Sequence, residues 1–178
     1  MKNSILALAL FGLSAQVSLA AVDCTISLSG NDQMQYDKKE IKLPAACAKA
    51  DIKVTFKHIG TLPLAAMGHN VVFVGDGKLT SLQAKYAPAG ADPVKLDAVN
   101  EQMLAAGEAL AFTKLVGGSG EQTTVISKGK VKAGEKYQYF CAFPGHFALM
   151  TGVLEIEKAG TATAAAEKKA EKKAGDKK

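Results

Sequence analysis

The stretch Cys141-Ala-Phe-Pro-Gly-His146-Phe-Ala-Leu-Met150 places a thiol, an imidazole and a thioether within ten residues. Soft sulfur donors combined with imidazole select copper, and a trigonal set of two histidines and one cysteine with a long axial methionine is the blue-copper donor pattern. This loop lacks the second histidine. His69, in Met67-Gly68-His69-Asn70, is the candidate, because it directly precedes the apolar run Val71 to Val74 and can reach the same place on a second loop. The bland alternative is a buried free cysteine with incidental neighbours. It gives no reason for three soft donors to share one short segment.

Donors on two loops need a rigid frame, and the surrounding sequence reads as strands. Polar and apolar residues alternate with period two in Thr25-Ile26-Ser27-Leu28 and again where Ile52, Val54 and Phe56 oppose Lys53, Thr55 and Lys57. This phase puts His58 on the apolar side, where a histidine is more often a core residue than a ligand. Val71 to Val74 suits a strand covered on both faces. Leu110 with Phe112, Val125 with its Thr neighbours, Tyr137 with Tyr139, and Leu154 with Ile156 continue the pattern. The expectation is an all-β, Greek-key β-sandwich of seven to eight strands. One strand ends at Cys141 and another begins near Val153.

The middle of the chain departs from period two. Asp92-Pro93 supplies a capping residue and a first-turn proline, Leu96, Val99 and Met103 recur at helical spacing, and Gly107 is a stop. With a weaker turn from Thr80 to Tyr86, residues 76–108 read as a small helical flap inserted between strands.

Residues 1–20 read as a secretory signal peptide: Lys2, an apolar stretch from Ile5 to Leu13, then Ser18-Leu19-Ala20. The apolar run is too short for a stable membrane anchor. A periplasmic, oxidising destination follows. Of the three cysteines, Cys24 and Cys47 lie away from any histidine and Cys141 sits five residues before His146. The expected disulfide is therefore Cys24 with Cys47, leaving Cys141 free. Residues 159–178 contain only Ala, Lys, Glu, Gly, Thr and Asp and read as a disordered tail. Six of the 22 basic residues fall in that tail, so residues 21–158 form a nearly neutral domain with fifteen basic against fourteen acidic groups. With so little net charge and no arginine to supply the fork that reads phosphates and base edges, nucleic-acid binding is excluded.

Gly-Asn-Asp-Gln-Met at 30–34, Met-Gly-His-Asn at 67–70, Thr-Lys-Leu-Val-Gly at 113–117 and Cys-x-Phe-Pro-Gly-His-x-Ala-Leu-Met at 141–150 closely resemble the azurins, type 1 blue-copper proteins of the cupredoxin group. The likeness covers roughly residues 22–158. Plastocyanin-type proteins use a shorter gap than the four residues between Cys141 and His146. The resemblance implies one copper ion held by His69, Cys141, His146 and Met150, with the Gly68 carbonyl as a distant fifth ligand. It also implies the Cys24 to Cys47 bridge, a tie between the ligand loops through Asn70, and a buried His58 that binds no metal. Met34, Leu62, Met67, Phe143, Pro144 and Leu149 would form an apolar docking ring around His146. Val71 replaces the Trp that some azurins carry after the Asn, the flap around the 93–106 helix is a few residues longer than usual, and the lysine-rich tail is extra.

That likeness predicts a monomeric electron carrier serving redox proteins such as a c-type cytochrome or a copper or haem reductase. A copper enzyme with a second catalytic centre needs more imidazoles than the three present, His58, His69 and His146. A copper chaperone needs accessible, exchangeable donors rather than one buried thiolate.

Overall fold

The computed structural model describes residues 22–160. The expected leader, and all but the first two residues of the expected tail, lie outside that range. Nine strands, β1 (Thr25–Asn31), β2 (Gln35–Tyr36), β3 (Glu40–Leu43), β4 (Ile52–His58), β5 (Val72–Gly75), β6 (Ala109–Phe112), β7 (Glu121–Ile126), β8 (Lys136–Phe140) and β9 (Thr151–Ile156), form two sheets. The first has the order β2-β1-β4-β7 and the second β3-β9-β8-β5-β6. β1 runs parallel to β4 and β3 parallel to β9; the remaining pairs are antiparallel. This is the expected sandwich, with the two-residue β2 added to the anticipated seven or eight strands.

Alternation explains most of the core. Ile26 and Leu28 of β1, and Ile52, Val54, Phe56 and His58 of β4, point inward beside Tyr137 and Tyr139 of β8 and Leu154 and Ile156 of β9. Val71 to Val74 are all fully buried, as a strand covered on both faces requires.

Two strands depart from the phase expected of them. In β7, Val125 is 47% exposed and Ile126 is buried. The cause is register: Val125 lies opposite Lys53 and Ile126 opposite Ile52, and residues directly opposite share a face. In β6, Ala109 and Ala111 are buried while Leu110 and Phe112 are only half-buried. A helix packs on this strand, so both of its faces are partly covered.

That helix belongs to the flap between β5 and β6. Short α1 (Leu64–Met67) lies earlier in the chain; α2 (Leu79–Tyr86), a 3-10 turn (Ala87–Ala89) and α3 (Pro93–Ala105) form the flap. Asp92 caps α3 by accepting from the N–H groups of Val94 and Lys95 at 3.0 and 3.3 Å. The helix ends in paired bonds from Gly107 N–H to Leu104 O and Glu108 N–H to Met103 O, at 3.1 and 2.9 Å. That closure needs a left-handed residue, and Gly107 has φ +73°. Leu96 and Met103 are buried beneath the helix.

Cys24 and Cys47 form the disulfide, with Cα atoms 5.4 Å apart. Closing a loop of 23 residues contributes about 3 kcal/mol in the chain-entropy model. Among the described residues no helix is long and apolar enough to cross a membrane.

Candidate metal centre

Four connections converge at one end of the sandwich: the β1–β2 turn, the β4–β5 loop, the β6–β7 loop and the β8–β9 loop. His69 is fixed between two of them. Its backbone exchanges N–H to O bonds of 2.8 Å with Val116 in both directions, and its ring Nε2 lies 2.8 Å from Asn31 O. The carbonyl can only accept, so Nε2 carries the proton and Nδ1 presents its lone pair. Asn31 is in turn held by its own side chain, whose Oδ1 accepts from the N–H groups of Gln33 and Gln35. This turn also puts Met34 in the left-handed region, at φ +56°.

The other donors come from the β8–β9 loop. Cys141 follows directly on β8, and its N–H donates to Met150 O at 3.0 Å, closing the loop on itself. His146 O accepts from the N–H groups of Leu149 and Met150. Phe143 Cδ2 would stand 3.1 Å from a Cβ at Gly68, and Leu64 O only 2.7 Å, so glycine is required where the two ligand loops pass. Gly30 does the same for the thioether: a Cβ there would meet Met150 Cε at 3.0 Å and His69 Cδ2 at 3.2 Å.

His69 Nδ1 lies 3.1 Å from His146 Nδ1, and Cys141 Sγ lies 4.0 and 3.8 Å from them. The circle through these three atoms has a radius of about 2.1 Å, which matches bonds of about 2.0–2.3 Å from a metal ion to nitrogen and sulfur. The Gly68 carbonyl borders the cluster at 4.0 Å from the sulfur. His69, Cys141, Met150 and Gly68 are fully buried or nearly so, and His146 is 3% exposed.

Burial sets the protonation of the three donors. It lowers His69 to about 4, helped by His146 and His58 and opposed by the Asn31 carbonyl. It lowers His146 as well, with His58 adding to the effect. It pushes Cys141 up to about 11, against the backbone N–H groups of Asn70 and Phe143, which favour the thiolate. The imidazoles are thus ready as neutral ligands, whereas the thiolate needs a cation beside it.

Asn70 links the loops as expected. Its Oδ1 accepts from Ala142 N–H at 2.8 Å and its Nδ2 donates to Thr113 O at 3.3 Å. His58 lies in the core, stacked on His69 with ring centres 4.6 Å apart. Its Nδ1 accepts from Gly60 N–H and its Nε2 donates to Met67 O. Both ring nitrogens are occupied, so neither is available as a ligand. Of the six expected docking residues, Pro144, Leu62 and Leu149 are exposed and Met34 and Met67 half-buried. Phe143 is not on the surface; it is 6% exposed, with its ring 4.6 Å from that of His146. The phenyl group backs the ligand instead of facing a partner.

Sequence reasoning missed the Asn31 carbonyl, Thr113 and Tyr36. Asn31 and Thr113 lie inside segments already singled out, but their partners, the His69 ring for Asn31 and the Asn70 side chain and Val71 N–H for Thr113, lie far along the chain. Tyr36, on β2, donates from its hydroxyl to Asn70 O at 2.5 Å, across 34 residues.

Residues 22–157 match the family model described as copper binding proteins, plastocyanin/azurin family. The chain belongs to this family. It is 37% identical to the azurin of Bordetella pertussis over 138 residues, which is 76% of this chain and 85% of that protein. It is 38% identical to azurin-1 of Alcaligenes xylosoxydans xylosoxydans over 136 residues, 75% of this chain and 98% of the relative. A solved azurin (Az-iso2) from Methylomonas sp. strain J superposes with a TM-score of 0.62 at 31% identity, covering 76% of this chain and 98% of that one. Fold, family and donor geometry agree: the arrangement of His69, Cys141, His146 and Met150 fits a type 1 copper site for electron transfer.

Proposed function

We propose that the mature chain is a periplasmic, monomeric blue-copper electron carrier whose domain, residues 21–158, would hold one copper ion through His69 Nδ1, Cys141 Sγ and His146 Nδ1, with the Met150 thioether and the Gly68 carbonyl as the weaker donors. The observation that carries this reading is the triangle of one sulfur and two imidazole nitrogens from two loops, every edge 3.1–4.0 Å. When bound, copper supplies a one-electron couple between Cu(I) and Cu(II).

The chain's own residues do the rest. Asn70 and the paired backbones of His69 and Val116 hold the donors in one arrangement, so little has to move between oxidation states. The backbone N–H groups facing Cys141 draw charge from the sulfur and raise the potential. His146 is the least buried of the four donors, at 3% exposed, and Met34, Leu62, Met67, Pro144 and Leu149 supply the apolar docking surface of this reading. The partners are redox proteins; a c-type cytochrome or a copper or haem reductase suits a small apolar interface, which permits quick release. Residues 1–20 direct export, and the lysine-rich segment from residue 159 is a solvated spacer.

The test is spectroscopic. Copper-loaded protein is expected to show an intense blue band, narrow copper hyperfine splitting and a reversible one-electron potential, with the band lost in Cys141→Ser. A colourless copper complex would sink the proposal.

A further inference from the structure

Tyr36 is a buried phenol that the ligand chemistry does not use. It is 4% exposed, on the two-residue strand β2, with its ring edge-on to Phe56 at 6.0 Å and tilted against Tyr139 at 5.6 Å. Burial keeps its phenol well above its ordinary pKa, so the group is an O–H donor. The acceptor, Asn70 O, belongs to the peptide unit joining Asn70 to Val71. The opposite end of that unit, Val71 N–H, donates to Thr113 Oγ1 at 3.0 Å. Tyr36 and Thr113 therefore grip the same peptide from both ends. Asn70 is the residue whose side chain holds Ala142 and whose own N–H favours the Cys141 thiolate.

We infer that Tyr36 is a positioning residue for the copper centre, acting through the Asn70 peptide to hold the link from the Asn70 side chain to Ala142, the residue that follows the ligand Cys141. This rests on the proposed copper-carrier function. Its physical content is a chain of contacts: Tyr36 hydroxyl to Asn70 carbonyl, Asn70 side chain to Ala142 N–H, and Ala142 next to the ligand Cys141. Loss of the hydroxyl frees one end of the peptide and loosens the hold of Asn70 on the Cys141 loop, so the backbone N–H groups that favour the thiolate are less firmly placed and the sulfur is a stronger donor. That favours Cu(II).

The test compares Tyr36→Phe with Tyr139→Phe. Each substitution removes one buried hydroxyl and keeps the ring, but Tyr139 donates to Lys38 O, a carbonyl in neither ligand loop, and not to Asn70. In copper-loaded protein at a fixed redox poise, Tyr36→Phe is expected to raise the Cu(II) to Cu(I) ratio about two- to tenfold, the scale of one hydrogen bond. Tyr139→Phe is expected to leave that ratio unchanged. In metal-free protein, amide exchange at Ala142 and Val71 is expected to quicken in Tyr36→Phe alone. Equal potentials and equal exchange in the two variants, with only a shared loss of thermal stability, would overturn the inference. A wild-type protein with no blue band would overturn the copper reading, and the metal-free exchange comparison would still decide the role of Tyr36.

Discussion

The metal end and the helical flap are both irregular, yet they are held together in opposite ways. At the metal end, buried polar atoms are matched one to one: Asn70 uses its side-chain oxygen, its side-chain nitrogen and its carbonyl, and His58 uses both ring nitrogens. In the flap, Asn100 accepts from Tyr86 but leaves its Nδ2 without a partner, and one buried oxygen of Asp97 also has none among the described residues. Leu82, Leu96 and Met103, with the ring of Tyr86, supply the apolar grip. The exposed Lys85 to Glu108 ion pair adds little. Directional bonds specify geometry and apolar contact specifies adhesion. A copper ligand set needs the first; an insertion that covers β6 needs only the second.

Leu96→Ala tests the adhesive side and carries the largest expected cost, about 2–5 kcal/mol of unfolding free energy for a fully buried leucine. Urea unfolding measures it, while the blue band and potential are expected to stay put. The contrast between the regions would collapse if Leu96→Ala moved the potential as far as a change at Asn70. Asn70→Ala is the opposite probe. Copper affinity, read by chelator competition, is expected to fall about 10- to 100-fold, with a smaller stability loss than at Leu96.

The pH dependence of metal-free protein sharpens the same point. His69 is held neutral by burial, at about 4 against an ordinary 6.5. Between these values the unfolded chain binds more protons than the folded one, so stability declines as pH falls from 6.5 toward 4. Urea midpoints across that window are expected to drop. Copper-loaded protein should resist the drop, because the metal occupies the nitrogen that would otherwise be protonated. A flat midpoint in metal-free protein would show that His69 is not buried neutral. The smallest effect belongs to Asp92→Ala, where loss of two cap bonds is expected to cost about 1 kcal/mol with no spectral change.

Several features were legible because they are local. Cys141, His146 and Met150 share one loop, so their spacing alone announces a soft metal site. Asp92-Pro93 and Gly107 mark α3 because caps and stops act within a turn, and the period-two pattern identifies β1, β4, β8 and β9. The strands β6 and β7 were harder. Alternation shows that a strand has two faces but not which neighbour covers each, and the packing of α3 and the register with Lys53 decided that. The place of Phe143 is hidden from the sequence for a related reason, since an apolar loop residue can face a partner or back a ligand with the same sequence.

The sequence by itself determined the donor chemistry, the strand periodicity and the disulfide, each resting on residue types and short spacings. Only the tertiary structure decided that His69 meets Cys141 across 72 residues, that the Asn31 carbonyl orients its ring, and that Tyr36 reaches Asn70. These contacts are made by single atoms, often of the backbone, which every residue carries. Residue identity cannot mark such an atom as special. The fold does so by bringing it within 3 Å of a partner.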